Sequence, residues 1–186
     1  MQEADNVLRI LKETKIALEK NDSFTLRGLS NQTMNTASLA QDADNIAVAV
    51  LVYSLSKIIE RLDYRQLTGW KRFYSNILLY LDKSIRDIEE KDYGRFRDDF
   101  KKIRGMIENL SGKLKKYVKE VFKNADINKA SRIYEHGISM EQTANLLGVS
   151  LYDLAEYAGK TGIPDVPENY TMNTKARIKL AMEMFQ

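Results

Sequence analysis

The sequence predicts an all-α fold: an N-terminal multi-helix bundle over residues 1–124, then a small C-terminal helix-turn-helix module over residues 125–186. Three observations carry this. Apolar residues recur at three- and four-residue spacing along most of the chain, the pattern of helices with one buried face. The two prolines of the 186 residues are Pro164 and Pro167, so nothing in the first 163 positions forbids a long helix. Strand-like alternation never extends beyond a few residues, and no internal repeat or low-complexity tract stands out.

The first helix is expected over residues 3–19, with Val7, Leu11 and Leu18 on one side. Asn21-Asp22-Ser23 stops it and caps the next. The second helix starts near Phe24 and enters the polar segment 31–38. A third runs from Asp42 or Asp44 to about Leu62. It is apolar nearly all round, which marks a central core helix, and the small Ala47 and Ala49 allow close neighbours. The fourth, over residues 68–90, carries Trp70, Phe73, Ile77, Leu81, Ile85 and Ile88 at helical spacing. The fifth has the cleanest period, Tyr93, Phe96, Phe100, Ile103, Ile107 and Leu110, and Ser111-Gly112 ends it. The sixth carries Leu114, Val118, Val121 and Phe122 and runs to about Asn124. Asp126 then caps a separate helix over residues 127–136, with Ile127, Ala130, Ile133 and Tyr134 as its stripe.

Residues 139–160 have the layout of two helices joined by a tight turn. Ser139 and Gln142 form a capping box, and Ser150 with Asp153 repeats the device. Gly148 sits where the first helix must stop, a position that favours the left-handed conformation. Ala144 is small where the helices cross, and Leu147, Val149, Leu154 and Tyr157 fall on the inward faces. This pattern resembles the helix-turn-helix family. The stretch from about residue 130 to 164, ending Lys-Thr-Gly-Ile-Pro, is similar to small antitoxin-like proteins. Beyond the Ile163–Pro167 linker, an amphipathic helix over residues 174–185 presents Ile178, Met182 and Phe185 for packing or for a protein partner.

Charge is uneven along the chain. Residues 1–64 carry a net −2, residues 65–124 a net +7 and residues 125–186 a net −2. The second helix of the module exposes Asp153 and Glu156, which repel phosphates, and offers Ser150, Tyr152, Ala155 and Lys160 as contacts. Basic side chains concentrate instead at Arg97, Lys101 and Arg104 on the fifth helix and Lys115, Lys116 and Lys119 on the sixth. The expected function is therefore a non-enzymatic helix-turn-helix regulator that binds nucleic acid. The alternative is an antitoxin-like or adaptor protein that binds another protein through the module and last helix. Either role is compatible with a homodimer.

A bundle with a polar second helix and an apolar third resembles the HEPN family, whose active members cleave RNA. That resemblance implies an Arg followed by a His with four to six residues between them. Arg132 and His136 have three between them and lie in the C-terminal module, so a non-catalytic bundle is implied, with an RNase-like bundle as the third reading. The chain has no cysteine and a single histidine, which excludes disulfides and histidine-based metal sites. No glycine-rich phosphate loop occurs, and no cofactor is expected. The acidic pairs Glu89-Glu90 and Asp98-Asp99 read as solvated helix ends. An acidic N-terminus without a signal-peptide pattern, and apolar runs far shorter than a membrane span, lead to the expectation of a soluble, cytoplasmic protein.

Overall fold

The structure, a computed structural model, describes residues 1, 3–40, 42–135, 141, 150–152, 155 and 156. The described residues are helical, without a strand: α1 (Ala4–Glu19), α2 (Ser23–Ala40), α3 (Ala43–Glu60), a 3-10 helix (Leu62–Gln66), α4 (Trp70–Glu89), α5 (Tyr93–Glu108) and α6 (Gly112–Glu135). Among them, no helix is long and apolar enough to cross a membrane. The all-α expectation holds. The helix-turn-helix module and the terminal helix fall largely outside the described residues.

The helix boundaries follow from local chemistry. The Asp42 side chain accepts from the Asp44 amide at 2.9 Å and caps α3. Asp22 and Asp92 cap α2 and α5 in the same way, each accepting from the amide three residues on, Thr25 and Arg95, at 2.9 Å. Gly112, at φ +58, opens α6 in the left-handed region that glycine tolerates. The Leu62–Gln66 turn of 3-10 helix, which the periodicity reads as part of α3 and a linker, buries Tyr64 at 2% exposure. The Tyr64 ring stacks on Tyr117 of α6, with centroids 5.3 Å apart, and its hydroxyl accepts from Arg61 at 3.0 Å.

As expected, α3 is the central helix. It packs against α1, α2 and α6, and buried residues occur all round it, including Ile46, Val48, Val50, Val52, Leu55 and Ile58. The Ser30 hydroxyl donates to the Ala49 carbonyl at 2.7 Å where α2 lies on α3.

In one respect α6 differs from expectation. It is continuous across Asp126, where the sequence suggested a fresh cap. Asp126 is a good cap residue, but the buried stripe Leu114, Val118, Val121, Phe122, Ala125 and Lys129 keeps helical register straight through it. Position 124, read as the end of the bundle, thus lies inside α6. Lys129 is fully buried, 3.3 Å from the Asn31 amide oxygen on α2 and 4.4 Å from the centre of the Tyr53 ring on α3.

The bundle also contains a repeat that the sequence conceals. The corner between α1 and α2 recurs between α4 and α5 at an offset of 70 residues. Asn21 and Lys91 occupy the left-handed region at φ 55 and φ 59. The Asp22 amide donates to the Ala17 carbonyl, and the Asp92 amide to the Asp87 carbonyl, both at 2.8 Å. The Asn21 and Lys91 amides donate to the Leu18 and Ile88 carbonyls, both at 2.9 Å. Burial repeats as well: Val7, Leu11, Thr14, Leu18 and Leu26 match Ile77, Leu81, Ser84, Ile88 and Phe96. The segments 3–34 and 73–104 share identical residues at six of 32 positions. Helices α1 and α4, the first of each hairpin, lie antiparallel, bridged by Lys12–Glu89 at 2.6 Å, Lys15–Asp82 at 2.7 Å and Tyr74 Oη to the Leu18 carbonyl at 2.9 Å.

Candidate functional site

Two surfaces of the bundle carry chemistry that packing does not require. The first is the cationic surface of the middle helices α5 and α6. On α5 the described cations face carboxylates. Arg97 grips Asp44 through Nε at 3.0 Å and Nη2 at 2.9 Å, tying α5 to the start of α3. Hydrogen bonding to Asp44 and its charge raise the Arg97 pKa. Asp44 also lies 3.5 Å from the N-terminal amine of Met1. Lys101 lies 3.8 Å from Asp98, and Lys102 lies 2.6 Å from Asp99. The Arg104 side chain falls outside the described residues.

The first half of α6 carries a row of lysines. Lys113, Lys116, Lys119 and Lys123 are exposed at spacings of three, three and four, opposite the buried Leu114, Val118 and Val121. Lys115 is half-buried beside them, and Glu120 is the one carboxylate within residues 113–123. At about 1.5 Å per residue this lysine row is roughly 15 Å long. Of the remaining positions predicted to touch nucleic acid, Ser150 is non-helical and exposed, and Tyr152 and Ala155 are helical and exposed. Tyr152 is 77% exposed and its neighbour Leu151 is 51% exposed. Lys160, Ile178, Met182 and Phe185 lie outside the described residues, as does His136.

The second surface was not anticipated. A cleft of about 370 Å³ opens between α4 and α5. Its floor holds Asp87, 5% exposed, and Asp99, 7% exposed; its rim holds Lys83, Arg86, Arg95 and Lys102, with Glu90 beside them. Asp99 is therefore not the solvated helix-end carboxylate that its neighbour Asp98 is. Asp99 accepts from Lys102 at 2.6 Å, and this hydrogen bond raises the Lys102 pKa. Lys83 and Lys102 also approach the Tyr80 ring, at 4.7 Å and 6.0 Å from its centre. Arg95 is held over the corner by Asp92 at 2.9 Å and Glu90 at 3.3 Å, and the charge of Asp92 raises its pKa.

Asp87 has no such partner. Its Oδ2 is buried without a hydrogen bond. Burial, then the charge of Asp99, raises its pKa above the ordinary carboxylate value. A signal for this cleft does exist in the sequence, in the repeat. The α1–α2 hairpin places Ala17 and Leu29 where the α4–α5 hairpin places Asp87 and Asp99, and both apolar residues are buried. The hairpin thus forms without acids at these positions.

Comparison with family models, with curated proteins and with solved structures finds no match to this chain.

Proposed function

We propose that this protein is a non-enzymatic nucleic-acid-binding regulator, which grips the phosphate backbone with the lysine row of α6 and adds contacts from a helix-turn-helix over residues 139–160. One observation carries the reading: Lys113, Lys116, Lys119 and Lys123 share one exposed face of α6, and Glu120 is the one carboxylate within residues 113–123. A row of roughly 15 Å matches about four nucleotides of one strand at 3.4 Å rise each. Because α6 is continuous to Glu135, the row sits on the helix that leads toward the module. Ser150 and Tyr152 bring hydroxyls to the same task, and the acidic residues of the module leave most of the affinity to α6.

The test is a salt titration of a labelled duplex and a labelled single strand, followed by fluorescence anisotropy. Changing the four lysines to Gln should flatten the slope of log K against log salt by roughly 3–4 for duplex DNA. A slope that stays the same in the variant removes α6 from the interface, and no binding at low salt removes the reading altogether. A protein partner is the second reading, with Leu151 and Tyr152 as the exposed apolar contacts; the sequence adds Ile178, Met182 and Phe185 as candidates, which lie outside the described residues. Sedimentation of Leu151→Ser against the parent chain tests a second copy as that partner: loss of a dimer supports it, an unchanged mass opposes it.

A further inference from the structure

The repeat of the two hairpins extends into the helices that follow them. At the same offset of 70 residues, the buried stripe Val48, Leu51, Val52, Leu55 and Ile59 of α3 matches Val118, Val121, Phe122, Ala125 and Lys129 of α6. On the neighbouring face the match ends. There α3 carries Ile46 and Ala49, both buried, and the half-buried Tyr53, with Ser30 of α2 bonded to the Ala49 carbonyl. Their counterparts on α6 are Lys116, Lys119 and Lys123, all exposed. Packing accounts for the difference: among the described residues α2 lies closely on α3, whereas α5 meets α6 only sparsely. A single helix covers this face on α3, roughly 10–12 Å across with its side chains. A partner of that breadth on α6 is one strand of nucleic acid and not a duplex, whose major groove alone is about 12 Å wide.

An uncovered face asks only for polar residues, and charges of both signs serve it best. The α6 face has instead Lys113, Lys116, Lys119 and Lys123, with Glu120 as the one carboxylate across residues 113–123. A single sign is what a chain of phosphates requires. An aromatic ring stands at the edge of this row. Tyr117 lies one turn beyond Lys113 and next to Lys116, and it is half-buried. One face of its ring lies on Tyr64, with the planes 7° from parallel, so the part that solvent reaches is away from Tyr64. Tyr64 is itself fixed, 2% exposed, with the Arg61 guanidinium 5.5 Å from its ring centre and bonded to its hydroxyl. Tyr117 is thus an aromatic side chain held rigid beside cations. Paired bases stack on one another inside a duplex, whereas the bases of a single strand are free to stack on an aromatic side chain, whatever the sequence.

We infer that α6 binds a single strand of nucleic acid in preference to a duplex, an inference that rests on the nucleic-acid reading above. The phosphates follow Lys113, Lys116, Lys119 and Lys123, and a base packs against the solvent-facing part of Tyr117. A duplex touches the same lysines but brings no base to the ring.

Fluorescence anisotropy on the full chain tests it, with labelled oligothymidylate, labelled oligouridylate and a DNA duplex of the same length, all at one low salt concentration. Each single strand should bind about fivefold or more tightly than the duplex, and the tighter of the two identifies DNA or RNA as the source. Tyr117→Leu keeps an apolar side chain against Tyr64. It should weaken the single strands about 5- to 100-fold and leave both the duplex affinity and the salt slope unchanged, a split that a misfolded variant cannot produce. Tyr117→Phe keeps the ring and should bind as the parent does. Lys116→Gln, a change at an exposed position, should lower the single-strand slope of log K against log salt by about 0.7. Duplex binding as tight as that of the single strands, or a Tyr117→Leu variant that binds them normally, overturns the inference and leaves the nucleic-acid reading standing. Absence of binding to all three oligonucleotides removes both.

Discussion

Restoring the apolar residues of the first hairpin to the second, Asp87→Ala with Asp99→Leu, should stabilise the bundle. Both carboxylates are more than nine-tenths buried, and Asp87 Oδ2 makes no hydrogen bond. Removing them strands no buried cation, because the side chains of Lys102 and Arg95 are 55% and 62% exposed and Arg95 keeps Asp92 and Glu90. Exchanging buried charges for apolar groups of similar volume commonly gains about 1–3 kcal/mol. At about 2–4 °C per kcal/mol for a chain of this size, Tm should rise by about 2–12 °C. Calorimetry at pH 7 reads this directly. The pH dependence supplies an internal control in the single variant Asp87→Ala. Burial and the charge of Asp99 raise the folded-state pKa of Asp87 above 3.8, against the opposing pull of Arg95, with Glu90, Lys83, Arg86 and Lys102 also around the cleft. The folded chain therefore holds that proton more tightly than the unfolded chain, and the cost of Asp87 appears as pH rises through the folded-state value. The gain from Asp87→Ala should be larger at pH 7 than at pH 3.5. A double variant that melts below the parent, or a gain that is larger in acid, would show that the carboxylates support the fold, and the argument from the repeat would fail.

Three further variants probe the frame of the bundle. Gly112→Ala forces a Cβ into φ +58 and should cost about 1–2 kcal/mol in urea denaturation, although open space surrounds the site; Gly28→Ala, exposed inside α2 with nothing within 4 Å, should gain about 0.5–1 kcal/mol. Equal effects at the two sites would contradict the backbone argument. Arg97→Ala removes the link from α5 to Asp44 in the first turn of α3. The half-exposed guanidinium limits the loss to about 0.5–1 kcal/mol, and hydrogen exchange at the amides of residues 44–46 should quicken before the rest of α3; uniform protection would place the anchor elsewhere.

Much of the bundle was legible because caps and glycines announce themselves. Asp22 and Asp42 mark the starts of α2 and α3, and the Ser111-Gly112 break falls where α5 gives way to α6; the cap that Asp92 gives α5 went unread. The same reading misplaced Asp126, since a cap residue inside a long helix looks the same in one dimension; only the tertiary burial of Ala125 and Lys129 shows that α6 continues. Lys129 itself was illegible, because a lysine is buried only where partners such as Asn31 and Tyr53 converge from other helices. The basic character of α5 was legible, but Asp44, the acid that engages Arg97, lies 53 residues away in sequence.

The repeat was hidden for a physical reason that also bears on function. A helical hairpin needs a left-handed corner, an N-cap and an apolar stripe, and many residues satisfy each. Asn21 and Lys91 hold the same backbone conformation, Thr14 and Ser84 the same buried place, and Leu26 and Phe96 the same packing position. The two hairpins match in geometry while sharing identical residues at only six of 32 positions. Where geometry is preserved, substitutions that fail to conserve character stand out. Ala17 against Asp87 and Leu29 against Asp99 replace buried apolar groups with charges, the direction that stability disfavours. Such a change at both floor positions of one hairpin, together with cations gathered at its rim, separates the α4–α5 hairpin from its counterpart in charge while the backbone geometry stays the same.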